Sequence, residues 1–386
     1  MKLILAVDPI RYPLTGIGRY TLELAQHLNG MPEIEEMRYF SGVGFVPDLP
    51  APDMVGEPGR LERIRLIKRW LARNKVLLEA HRAVSHTRRA RALSQSKEWL
   101  FHGPNFYLPK TPGPSVVTMH DLSVFTHPQF HPKERVQHMH GEIRLALKRA
   151  TMLIAVSQFA RKEIASHFDW PLERVGAAPL GASSAYHPRS REELQPTLSR
   201  LGLEAEGYTL FTGTLEPRKN LDGLLAAYEQ LPQALRMRFP LILAGYSGWN
   251  NEAIVARLDR AKAAGWARHL GFVAENDLPA LFAGARAFAF PSHYEGFGLP
   301  VLEAMASGAP VVTADVASLP EVAGDAAALC EPTDIEALAA ALHRALEDEA
   351  WRAGAREKGL AQAARFSWQQ CANDTVSIYK QAMQFA

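Results

Sequence analysis

The chain has 386 residues, of which 47% are hydrophobic and 22% charged, with a formal net charge of +2 and two cysteines, Cys330 and Cys371. That length exceeds one ordinary core and favours two domains, while the composition excludes a disordered chain, a disulfide scaffold and a cysteine metal site, in keeping with a reducing compartment. No run of about 18 apolar residues occurs, so no bilayer-spanning segment is expected, and the apolar start, broken by Asp8 and Pro9, reads as a first strand and not a secretory signal.

In chain order, a strand Leu3–Val7 leads through a loop Asp8–Gly18 into a helix from Arg19 to about Leu28, a β-loop-α unit. Gly16-Ile17-Gly18-Arg19-Tyr20-Thr21 lacks the third glycine of the dinucleotide fingerprint, because Thr21 stands there. The two glycines mark either a ligand-facing loop or merely a tight turn. Residues from about Gly42 to Gly59 are rich in Pro and Gly and read as loop. Arg60 to Lys97 then carries twelve basic residues against Glu62 and Glu79, with Ile64, Ile67, Trp70, Leu71, Leu77 and Leu78 at near-helical spacing. This pattern suits an anionic membrane surface, and equally a solvated helix packed on its own sheet. Nucleic acid is not expected as a partner, since no nucleic-acid module is present and the rest of the chain is not basic.

Trp99–Asn105 and Ser115–Asp121 each read as a strand running into a polar loop. Ligands of open parallel sheets gather outside such strand ends, which makes His102, Asn105, His120 and Asp121 cleft candidates. A helix follows around Lys133–Arg149, then a strand Met152–Val156 and Ser157 as a helix N-cap. A linker is expected from about His187 to Gly207. Strand Tyr208–Thr212 opens the second half and runs into Gly213-Thr214-Leu215-Glu216-Pro217-Arg218-Lys219-Asn220. Two adjacent cations at a strand end can neutralise a departing diphosphate, although an Arg-Lys pair is usually plain surface. Leu241–Gly245, His269–Val273 and Ala285–Phe290 read as further strands alternating with helices.

The last of these strands ends at Pro291 and leads into Ser292-His293-Tyr294-Glu295-Gly296-Phe297-Gly298-Leu299-Pro300-Val301-Leu302-Glu303-Ala304-Met305-Ala306-Ser307-Gly308. Pro300 suits the first turn of a helix and Gly308 the residue just past its end, so Glu303 is expected on a short helix and Glu295 in the loop before it. Gly296 and Gly298 would let backbone amides approach a polar ligand beside a helix N-terminus that favours anions.

Glu295 and Glu303, with their Phe-Gly-Leu-Pro and Glu-Ala-Met-Ala-Ser-Gly surroundings, resemble the E-x7-E motif of the family-four retaining nucleotide-sugar glycosyltransferases. The resemblance implies the α/β GT-B fold, two Rossmann-like domains facing a cleft, with an acceptor-side domain over 1–190, a nucleotide-sugar domain over 206–365, and a helix over 366–386, opened by Phe366-Ser367-Trp368, crossing back. It further implies that Glu295 contacts the donor sugar, that Phe297, Gly298 and Leu299 hold its hydroxyls through their amides, and that Glu303 binds the ribose. His120 would reach the sugar near the reacting centre, Gly16 and Gly18 would face the diphosphate, and Val273 would meet the base. Lys219 aligns with the family's phosphate-binding lysine. The family often places Arg directly after the loop glycine, where this chain has Thr214, so that role falls to Arg218.

No Asp-x-Asp pair occurs, and neither metal nor cofactor is expected. The start and the phosphate loop are most similar to bacterial transferases that use GDP-mannose or a GDP-deoxymannose, such as GDP-rhamnose, to build lipopolysaccharide O-chains. The implied acceptor is a lipid-linked oligosaccharide, met in the cytoplasm or peripherally on the inner membrane face. A UDP-sugar 2-epimerase of the same fold and a non-catalytic nucleotide-sugar-binding subunit stand as alternatives.

Overall fold

The computed structural model describes residues 1–51 and 75–385. Part of the basic segment, including Arg60, Arg63, Lys68, Arg69, Trp70 and Arg73, lies outside the described residues. Its continuation is a helix, Lys75–Ala92, from which the Arg89 Nε donates to the Gly42 carbonyl at 2.6 Å.

Two sheets carry the chain. The first holds seven strands, β1 (Lys2–Ala6), β2 (Glu36–Ser41), β3 (Gly44–Val46), β4 (Trp99–Gly103), β5 (Ser115–Met119), β6 (Met152–Ala155) and β7 (Val175–Ala177), in the order β3-β2-β1-β4-β5-β6-β7. All its pairings are parallel except β2 with β3. The second holds β8 (Thr209–Thr212), β9 (Leu241–Ala244), β10 (Ala267–Gly271), β11 (Ala287–Phe290), β12 (Val311–Ala314) and β13 (Ala327–Cys330), all parallel, in the order β10-β9-β8-β11-β12-β13. Both are open sheets whose strand order reverses once, between β1 and β4 in the first and between β8 and β11 in the second, and ligands of such sheets settle at those reversals. The inner strands are mostly apolar and almost wholly buried, as parallel strands covered by helices must be. This is the pair of Rossmann-like domains that the sequence led us to expect.

Several local expectations need correcting. The first helix starts at Gly16, not Arg19, because Thr15 caps it by accepting from the Gly18 amide at 3.2 Å. Residues 44–46 form the edge strand β3 inside what reads as loop. The supposed linker contains a helix, Arg191–Leu201, closed at its start by a reciprocal capping box of Ser190 and Glu193. The strand expected over His269–Val273 ends at Gly271, so Val273 sits buried in the turn beyond it.

The terminal helix Trp368–Gln384 packs on β5, β6, β7 and the helix Gly16–Leu28, so it does return to the first domain. A buried chain of hydrogen bonds pins it there: Tyr379 Oη meets His102 Nδ1 at 2.6 Å, His102 Nε2 meets Thr118 Oγ1 at 2.8 Å, and Thr118 meets Tyr20 Oη at 2.9 Å. His102 is therefore a core residue and not a cleft residue. Burial, with His120 nearby, pushes its pKa down to about 3, so the ring stays neutral.

Candidate active site

The carboxyl ends of the two sheets face each other. From the first, the β5 loop supplies His120 and Asp121, and the β6 loop supplies Ser157. From the second, the β11 loop supplies Tyr294 to Gly298. Ser157 Oγ donates to the Gly296 carbonyl at 2.7 Å, and the Leu122 amide donates to Tyr294 Oη at 3.1 Å. Glu321 receives the amides of Gln158 and Phe159 at 2.9 Å each, using the positive end of the helix Gln158–Phe168. A Cβ on Gly296 would stand 1.7 Å from the His120 carbonyl oxygen, which no side chain could tolerate. The expectation that Gly296 makes room for a ligand is thus corrected: its bare face seats the other domain.

At the second sheet's reversal, β8 and β11 lie side by side, and their loops bring Arg218, Lys219 and Glu295 together. Glu295 Oε2 accepts from Arg218 Nη1 at 2.9 Å and Oε1 from Lys219 Nζ at 2.6 Å, while Arg218 Nη2 also reaches Glu216 at 2.9 Å. Burial alone would raise the Glu295 pKa, but Arg218 and Lys219 outweigh it and hold the carboxylate below its usual range. Burial pulls the Lys219 ammonium down, and Arg218 adds to that; Glu295 opposes both. Asp121 is likewise held ionised against burial by Arg218 and by Ser123. The cations assigned to the phosphate and the carboxylate assigned to the sugar therefore form one buried cluster.

Gly298, at φ 103°, caps the helix Leu299–Ala306 in a backbone region that favours glycine. Pro300 has no amide and Val301 and Leu302 return to the Gly298 carbonyl, so among the described residues the amides of Phe297, Gly298 and Leu299 remain unspent. Glu303 follows one turn later on the same helix. Burial raises its pKa, Arg19 and Tyr186 oppose, and Glu275 and Glu23 add to the rise, leaving it at about 7.

His120 stands edge-on to Tyr20, with ring centroids 4.9 Å apart, and its Nε2 lies 2.8 Å from the Pro104 carbonyl. A carbonyl only accepts, so Nε2 carries the proton and Nδ1 keeps its lone pair, and burial keeps the ring neutral. Gly16 is exposed and a Cβ there would meet nothing within 4 Å, whereas Gly18 is packed with the Pro9 carbonyl 2.9 Å from such an atom. Gly16 is open; Gly18 is packed in the first turn of the helix, against Pro9 and Leu14.

Sequence reasoning passed over Arg19 and Tyr186. Arg19 pairs with Glu275 of the opposite domain at 3.1 Å and lies in the field of Glu303, together with Tyr186. Its position directly after Gly16-Ile17-Gly18 was a usable signal, while nothing local distinguishes Tyr186. A cavity of about 440 Å³ opens at the first sheet's reversal, lined among others by Asp8, Arg11, Thr15, Arg89, Asn105 and Tyr107.

Residues 200–365 match the family described as glycosyl transferases group 1. Across 380 residues, 98% of this chain and 100% of the relative, the sequence is 46% identical to the O-antigen chain mannosyltransferase B of Escherichia coli. Among solved structures, the chain resembles sucrose-phosphate synthase from Thermosynechococcus elongatus, with TM-score 0.70, 18% identity and full coverage of both chains at 100%. It also resembles the HepE protein of Anabaena in complex with UDP-glucose, with TM-score 0.70, 18% identity and coverage of 100% and 98%. Those two likenesses show the GT-B fold.

Proposed function

Because this chain belongs to the group 1 glycosyl transferases it is a glycosyltransferase, and we propose that it moves mannose with retention from GDP-mannose onto a lipid-linked bacterial surface polysaccharide. The observation that carries the chemistry is the convergence of Arg218 and Lys219 on Glu295 beside the amino end of the helix Leu299–Ala306. The choice of mannose and of the O-chain rests on the relative that is itself an O-antigen chain mannosyltransferase.

In this reading the donor enters between the domains. Glu303 accepts from the ribose hydroxyls, the backbone at Val273 meets the base, and the amides of Phe297, Gly298 and Leu299 hold the sugar. Gly16 gives the diphosphate room, and His120 Nδ1 accepts from a sugar hydroxyl near the anomeric carbon. The bond from that carbon to the diphosphate oxygen breaks and its electron pair leaves with the diphosphate. Arg218 and Lys219 turn from Glu295 toward the growing negative charge, worth several kcal/mol in a water-poor site. The acceptor hydroxyl attacks from the same face and gives its proton to the departing phosphate, so Glu295 orients the sugar and forms no covalent bond. The two cations and a helix N-terminus supply the stabilisation in place of a divalent metal. The cavity beside β1 and β4 suits the acceptor sugar, with hydroxyl-binding groups at Asp8, Asn105 and Tyr107. Such an acceptor lies at the cytoplasmic membrane face, and no helix among the described residues is long and apolar enough to cross a membrane.

Incubation with a panel of nucleotide sugars and a mannose-terminated lipid-linked acceptor, read by product mass, tests this. The expected result is hexose addition from GDP-mannose above all other donors. Preference for a UDP-sugar, or an epimerised nucleotide sugar formed without acceptor, would overturn it.

A further inference from the structure

We propose that the second domain carries a separate binding site for a phosphate-bearing anion, on the side of its sheet away from the cleft. A cavity of about 430 Å³ lies there, within the size range of small-molecule sites, about 300–1,000 Å³. Arg286 immediately precedes β11 and Glu206 lies just before β8, so the cavity sits at the amino ends of strands whose carboxyl ends form the catalytic cleft. Five arginines line it, Arg189, Arg191, Arg286, Arg352 and Arg356, against Glu206 and Glu349, a formal excess of three positive charges.

A plain ion-pair staple would match each cation with a carboxylate, and this one cannot. Glu206 is taken by Arg352, by Arg356 at 2.6 Å and by Arg286 at 3.7 Å; Glu349 is taken by Arg286 and Arg352 at 2.5 Å each. All four carboxylate oxygens are spent. Among the described residues Arg189 and Arg191 have no carboxylate within ion-pair distance: Arg189 Nη2 donates to the Ala185 carbonyl at 3.1 Å, the adjacent Glu193 carboxylate accepts from the Ser190 amide at 2.8 Å, and Glu193 and Glu192 meet the two arginines only through longer-range attraction. Polar atoms are also left over in the lining: Ser307 Oγ and Arg352 Nε are buried without a hydrogen-bond partner among the described residues, on side chains only 2% and 5% exposed. Unpaired buried donors are costly and ask for an acceptor. An anion with several oxygens satisfies them and neutralises the surplus charge, and the guanidinium fork matches phosphate geometry.

The site has a route to the cleft. Ser307 and Gly308 close the helix Leu299–Ala306, whose other end presents the donor-loop amides, and Arg356 Nε holds the Gly308 carbonyl at 3.0 Å. Phosphate chemistry could come from a soluble metabolite or from a lipid headgroup, and one experiment separates them.

The full-length wild-type chain and an Arg189→Ala/Arg191→Ala variant are titrated with inorganic pyrophosphate by calorimetry, and sedimented with phosphatidylglycerol vesicles. Neither arginine is in an ion pair, and the Arg189 bond to the Ala185 carbonyl is exposed, so the variant is expected to melt close to the wild-type temperature without ligand. The expected result is a saturable pyrophosphate component, weakened at least tenfold in the variant, with a matching loss of the pyrophosphate-induced rise in melting temperature. The cleft cations are common to both proteins and cancel in the comparison. Vesicle binding that depends on the two arginines, with no pyrophosphate difference, would support the site with a lipid headgroup as its ligand. Equal behaviour of the two proteins toward both probes would overturn the proposal.

Discussion

Glu295 holds two cations in place until a substrate phosphate competes for them. In the proposed reaction, removing either cation deletes charge stabilisation that grows only as the diphosphate leaves. Arg218→Ala and Lys219→Ala are each expected to lower turnover by about 100- to 1,000-fold in steady-state transfer assays, and near-normal rates in both would remove them from the leaving-group role. Glu303 adds a pH effect. Its pKa stands at about 7 against an ordinary 4.5, so the folded protein keeps a proton that the unfolded chain has released. The associated stability is fully present below about 4.5 and is lost as pH rises through about 7, on the order of 3 kcal/mol in all. Thermal melts across that range should show the loss in wild type and not in Glu303→Gln; parallel profiles would reject the assignment. Nucleotide affinity is expected to rise over the same interval, as the ionised carboxylate becomes available to the ribose. Both glutamates were legible because their motif is local. Tyr186 and the burial of His102 were not, since nothing local marks the first and the second depends on the terminal helix; Tyr379 lies 277 residues from the histidine it covers.

At the scale of elements, the strand-loop-helix around residues 285–308 could be read closely because Pro291, Pro300 and Gly308 punctuate it. The helix Arg191–Leu201 escaped because Pro188 and Pro196 argue for a linker, although Ser190 and Glu193 spelled out a capping box. The edge strand β3 escaped for want of length: three residues carry no alternation. Gly296 was read correctly as a position that needs no side chain, but for a reason only the assembled domains reveal. Gly296→Ala is expected to push the His120 carbonyl away and unseat the domains. Transfer should then be nearly abolished while GDP still binds the second domain, and small-angle scattering should report a larger radius of gyration. Normal turnover in this variant would contradict the seating role.

For the molecule as a whole, the two reversals face each other across one cleft, one presenting Arg218, Lys219 and free loop amides and the other a polar cavity. The basic residues between Arg60 and Lys97 are proposed to draw the enzyme to an anionic membrane surface. Each basic residue near an anionic surface contributes on the order of 1 kcal/mol, screened by salt. Reversing Arg63, Lys68, Arg69 and Arg73 to Glu should reduce co-sedimentation with anionic liposomes and activity on a lipid-linked acceptor, while sparing a short soluble analogue. Binding indifferent to both salt and these changes would remove these four residues from any membrane role. Retaining mannosyl transfer is decided by proton NMR of the first product formed from GDP-mannose. The expected product carries a new α-linked mannose on the acceptor, the configuration of the donor kept. A β-linked product, or release of free or epimerised sugar with the acceptor unchanged, would contradict it.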